Sequence, residues 1–117
     1  MDERRYLEVS QQELPGGSRL IDVRGEFDLS SAAEVRSVLI SADEDGCPRV
    51  VIDLTEVEML DSTALSVLVI AHKRLRRTGR ELVVVLPEGG MATKFEIAGL
   101  DRFFSITTSR DAALAGG

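Results

Sequence analysis

Asp61, Ser62 and Thr63 follow the apolar run Val50-Val51-Ile52-Asp53-Leu54 and a short polar link, and they precede a strongly apolar helical segment. An acid and two hydroxyls thus fall between the end of a buried strand and the start of a helix. Open sheets present functional groups at such junctions, and helix N-termini favour anionic groups. Two kinds of chemistry suit the place. Ser or Asp ahead of an apolar helix is the usual N-cap, contributing about 1 kcal/mol. A phosphoryl group on Ser62 would also fit, adding roughly −1.5 to −2 charges that free N–H groups and the helix dipole accommodate. With Asp61 adjacent, and the strand ending at Asp28 expected on the same rim, such a dianion would repel an acidic partner and desolvate poorly in an apolar interface. Spacing permits both roles for Ser62.

The elements that must position this junction follow from periodicity. Leu7 and Val9 alternate with polar neighbours as in a half-buried strand, and Leu14-Pro15-Gly16-Gly17 is a turn. Leu20, Ile21, Val23, Phe27 and Leu29 predict a second strand, a hairpin partner of the first, with Gly25 marking a bulge or a close approach. Ser30 or Ser31 should cap a helix with Ala32, Val35, Val38 and Leu39 on its apolar face, ending between Asp43 and Pro48. Arg49 to Leu54 has the pattern of a central strand covered on both faces. A helix is expected from about Thr63 to Arg77, stopping at Gly79, then a strand from Leu82 to Leu86 that ends at Pro87. Gly89-Gly90 introduces a third helix bearing Met91, Phe95, Ile97 and Ala98, with Gly99 beyond its end. Phe103 to Thr107 suits a short edge strand, and Ser109-Arg110-Asp111 begins a last, short helix. The order β-β-α-β-α-β-α-β-α predicts a small α/β domain over residues 1–117, with a mixed sheet of four to five strands and about four helices packed on it.

On a helical wheel Leu65, Leu68, Val69, His72 and Leu75 share the arc expected to meet the sheet. Val67 and Ile70 fall on the far side with Thr63, Ser66 and Arg74. An apolar pair beside hydroxyls and a cation resembles a partner-binding patch; the alternative is that a neighbouring helix covers it. His72 is expected to be packed, because no second metal ligand stands at suitable spacing.

Composition excludes several function classes. The 117 residues are 44% apolar, enough to build a core without disulfides or metal, and the lone Cys47 fits a reducing compartment. No apolar run approaches a membrane span of about 20 residues, and Met1-Asp2-Glu3-Arg4-Arg5 lacks a signal-peptide core, so a cytoplasmic protein is expected. A net charge of −6 argues against a nucleic-acid partner. The local exception, Lys73-Arg74-Leu75-Arg76-Arg77, suits a solvated helix end that complements the dipole. There is no P-loop, since Gly89-Gly90 lacks a following Lys-Ser/Thr, and one His with an unactivated Cys makes no recognisable catalytic set.

The run Val51-Ile52-Asp53-Leu54 … Met59-Leu60-Asp61-Ser62-Thr63-Ala64-Leu65 resembles the central signature of anti-sigma-factor antagonists of the STAS family. Gly25-Glu26-Phe27-Asp28 resembles that family's Gly-Glu-Leu-Asp segment, and Gly79, Glu81-Leu82-Val83-Val84-Val85 and Phe95-Glu96-Ile97-Ala98-Gly99-Leu100 match its later elements. The resemblance implies a bacterial partner switch in transcription regulation, of the kind used in stress response and sporulation. Its unphosphorylated form would bind a serine-kinase anti-sigma factor and free the sigma factor. The kinase would phosphorylate Ser62, and a PP2C-type phosphatase would reverse this. Asp28 and Asp61 match aspartates that flank the phosphorylation site, with Thr63, Ser66, Val67, Ile70 and Arg74 as further partner-binding candidates. No cofactor is implied, because ATP and magnesium belong to the kinase. The free chain is expected to be a monomer. Ala64 departs from the family's frequent Gly, adding a methyl near the acceptor. The alternative within the family is a non-switching scaffold subunit of a stressosome or transporter-associated complex.

Overall fold

The computed structural model describes residues 7–115; the Met1–Arg5 segment weighed above lies outside them. Five strands form one sheet in the order β1-β2-β3-β4-β5: β1 Leu7–Glu13, β2 Arg19–Phe27, β3 Arg49–Leu60, β4 Glu81–Val85 and β5 Ser105–Thr107. β1 and β2 are an antiparallel hairpin, and the remaining neighbours are parallel. Each parallel step is crossed by one helix: α1 Ala32–Glu44, α2 Ser62–Arg77 and α3 Gly90–Ile97. Because the strand order never reverses, crossovers of one hand leave all three helices on one face. There Ile21, Val23, Val50, Ile52, Leu54, Leu82 and Val84 pack with Val35, Leu39, Leu68 and Phe95. The expected α/β class, mixed sheet and helix count all hold.

The opposite face is covered thinly. α4, Arg110–Ala115, lays Ala113 on Leu20, Val51, Val83 and Val85, with Leu14 beside them. Both faces of Val50–Leu54 are therefore buried, as that saturated run requires. Gly25 does mark an irregularity: its φ is 102°, and the β2–β3 register shifts between Gly25 and Glu26. The strand predicted to end at Leu54 instead runs to Leu60. Only its Arg49–Asp53 portion pairs with β4, and the extension is held by β2 alone as far as Phe27↔Leu60. Lacking a second neighbour, the extension exposes Thr55, Glu56, Glu58 and Met59, which is why it has the composition of a link. The third helix is also less buried than its pattern suggests, since Phe95 is buried whereas Ile97 is exposed. Phe103 and Phe104 turn into the core ahead of β5 and flank the buried His72 ring at 4.5 and 5.5 Å. Burial, with a contribution from Arg76, pushes the His72 pKa below its ordinary value.

Two ionic clips tie elements together. Asp43 of α1 accepts from Arg74 of α2 (3.0 Å) and from Arg80. On the thin face Asp22 and Asp53 are register partners on adjacent strands, and Arg110 bridges them at 3.1 and 2.8 Å. Burial pushes the Asp53 carboxyl up, but bonds from Thr55 and Arg110 outweigh it and hold Asp53 below the usual aspartate range. Arg110→Ala would leave two neighbouring carboxylates facing each other, one of them buried. We expect a loss of about 1–3 kcal/mol in urea unfolding at pH 7. A depressed folded pKa stabilises above the unfolded value and is lost below it. The gap between wild type and Arg110→Ala should thus be full near neutrality and close as pH falls below about 3.9.

Candidate functional site at the strand-end rim

β2 and β3 end side by side, so the residues that follow them, Asp28 and Asp61, share the carboxyl-end rim of the sheet. Asp61 is the N-cap of α2. Its Oδ1 accepts the Ala64 N–H at 3.0 Å, and its Oδ2 accepts the Leu29 N–H at 3.0 Å. One carboxylate therefore fixes the start of α2 and the β2–α1 loop together. Negative charge at this place also complements the N-terminal end of the helix dipole.

Asp28 is buried rather than presented, at 5% exposure. Its Oδ1 accepts from the Ser30 amide (3.0 Å) and hydroxyl (2.7 Å), and its carbonyl accepts the Ala32 N–H at 2.8 Å. Ser31 holds the N-cap position of α1 without capping through its side chain. Its hydroxyl donates to the Glu26 carbonyl at 2.6 Å and accepts the Asp28 N–H at 3.0 Å. Asp28 thus has a structural role: it shapes the loop that Asp61 grips.

Ser62 is the first residue of α2 and is exposed. The cap role weighed for it belongs to Asp61 instead. Among the described residues its hydroxyl makes no hydrogen bond, so it faces solvent at a helix N-terminus. Thr63 is half-buried. Ser66 is exposed, its hydroxyl donating to the Ser62 carbonyl at 3.0 Å. The Ala64 methyl is buried in the core rather than set beside the Ser62 hydroxyl.

The expected patch on α2 divides. Val67 is buried, because α1 packs against this side of α2; the alternative of a covering helix holds for it. Ile70 is 56% exposed at the mouth of a groove of about 180 Å³ between α1 and α2, which Ile40, Arg36 and Arg74 also line. Arg74 is committed to Asp43. Helical periodicity failed here because α2 has two burial faces, one on the sheet and one on α1, while the wheel allowed one. Sequence reasoning also missed Leu29, which it counted as a strand residue. Leu29 lies on the loop and is 75% exposed. No signal in one sequence separates an apolar residue ending a strand from one displayed just past it. Among the described residues no His, Cys, Asp and Glu cluster suits a metal, and no helix is long and apolar enough to cross a membrane.

With this geometry in hand, comparison with known proteins gives a consistent answer. The STAS domain model matches residues 7–113. The anti-sigma-B factor antagonist of Staphylococcus aureus is 31% identical over 80 residues, 68% of this chain and 74% of that protein. The crystal structure of an anti-sigma factor antagonist from Mycobacterium paratuberculosis superposes with a TM-score of 0.85 at 27% identity, covering 95% of this chain and 93% of that one. The phosphorylated form of the Bacillus cell fate determinant SpoIIAA shares the fold, with a TM-score of 0.73 at 15% identity over 94% of this chain and 100% of that one. The chain belongs to the STAS domain family.

Substitutions at the rim should separate cap from acceptor. Asp61→Ala should cost about 1–2 kcal/mol in urea unfolding through the lost cap, whereas Ser62→Ala should stay within about 0.5 kcal/mol of wild type. Val67→Asp should destabilise by about 3 kcal/mol or more by burying a charge. Ile70→Asp should leave the unfolding midpoint nearly unchanged.

Proposed function

We propose that this STAS-family chain is a phosphorylation-regulated anti-sigma-factor antagonist. Unphosphorylated, it binds a serine-kinase anti-sigma factor and so frees the sigma factor; phosphorylation of Ser62 ends that binding, and a PP2C-type phosphatase restores it. The observation that carries this reading is the division of labour at the α2 N-terminus. Asp61 does the capping, so the exposed Ser62 hydroxyl is spare and can be modified without removing a bond that holds the fold. The Staphylococcus relative, named for antagonism of an anti-sigma factor, supports the partner class. SpoIIAA, solved in phosphorylated form, supports the capacity of this fold to carry the group.

Charge explains the switch. A phosphoryl group adds roughly −1.5 to −2 charges beside the Asp61 carboxylate. The unpaired N–H groups of the first helical turn help to hold it in place, while a partner surface shaped for a neutral serine and one carboxylate meets a strong repulsion. In this reading Ser62 is acted upon rather than catalytic, and the chain is no enzyme. ATP and magnesium are the kinase's, and the exchange takes place in the cytoplasm.

Incubation with ATP and the purified serine-kinase anti-sigma factors of the source organism should place one phosphate on Ser62, read by tandem mass spectrometry. Phosphate on no residue, or only elsewhere, would count against the switch and favour a constitutive scaffold. Ser62→Asp should weaken kinase binding by about tenfold or more in calorimetry, with a melting temperature close to wild type.

A further inference from the structure

We infer that Leu29 is the apolar anchor of the kinase-binding surface, and that Asp61 is the positioning residue that displays it. This rests on the reading of Ser62 above and names a contact next to it. Leu29 is 75% exposed on a loop that is otherwise closely bonded: Asp28 and Ser31 fix the backbone on either side, and Asp61 holds the Leu29 amide itself. A leucine so exposed on a loop so well held gains nothing for the fold. A rigid apolar side chain is what an interface uses, because little ordering cost remains at binding.

Position reinforces the argument. The carboxylate that grips the Leu29 amide belongs to the residue directly before Ser62, so a partner seated on Ser62 meets this loop as well. Met59, 42% exposed on the β3 extension, adds a second apolar side chain two residues before Asp61. Asp61, half-buried, follows at the end of the extension. A rigid apolar side chain displayed beside a neutral serine selects a partner with an apolar socket next to its serine-binding site. A phosphoryl group on Ser62 would place a costly-to-desolvate charge at the edge of that socket.

The test uses the host kinase that phosphorylates Ser62, titrated with the full chain by calorimetry, and the kcat/KM of Ser62 phosphorylation. Leu29→Ala should weaken binding by about tenfold and Leu29→Asp by more, with kcat/KM falling in parallel. Leu29→Met should restore most of the loss. Ile97→Asp, at an 81% exposed apolar residue on α3, should bind as wild type does. Both substituted side chains are exposed, so the melting temperatures of all four variants should stay near wild type. Normal binding by Leu29→Asp, or an equal loss with Ile97→Asp, would overturn the assignment while leaving the Ser62 switch intact. A wild-type dimer in sedimentation that Leu29→Asp dissociates would instead show that a second copy covers this residue. If no host kinase binds the wild-type chain, the switch itself fails and this contact with it.

Discussion

The site depends on one carboxylate that serves two elements. Asp61 is bonded through one oxygen to the first turn of α2 and through the other to the loop that leaves β2. Without it the helix would begin with one more unsatisfied N–H, and the loop would be joined to α2 only through packing. Because both bonds use backbone donors, the arrangement leaves neighbouring side chains uncommitted. Ser62 on one side and Leu29 on the other therefore reach solvent from rigid positions. The same economy appears at Asp28, which is buried, holds its own loop, and supports the Asp61 grip from beneath.

The sheet makes that meeting possible. A strand order that never reverses puts the ends of β2 and β3 next to each other, and the β3 extension carries its end as far as that of β2. Three helices then share one face and leave the other to α4. A short helix with one buried alanine offers little apolar area, so its attachment leans on Arg110 and the Asp22–Asp53 pair. These clips hold opposite charges together across separate elements.

Much of this was legible in the sequence, and the failures have physical causes. The run Val50–Leu54 announces a strand buried on both sides, and the Asp-Ser-Thr triplet announces the helix start; both hold. Whether Asp61 or Ser62 caps turns on a one-residue shift that side-chain type cannot decide, since both are good caps. The length of β3 was hidden because residues 55–60 pair on one side only and carry the polarity of a link. Periodicity left Val67 open between a partner patch and a covered position, because burial against α1 is a tertiary fact invisible to a single helical period. Leu29 was hidden for a related reason: its hydrophobicity suggests burial, whereas loop bonds from Asp28, Ser31 and Asp61 hold it outside the core.

The central claim is that Ser62 can be modified while the Asp61 clamp and the fold stay in place. Amide NMR spectra of the chain before and after phosphorylation of Ser62 test it most directly. The account predicts shifts confined to the rim, at residues 28–31 and 59–66, with the Leu29 and Ala64 amides still protected from exchange. Shifts spread through the sheet, or loss of protection at Leu29 and Ala64, would show that the phosphoryl group acts by remodelling the domain and would contradict it.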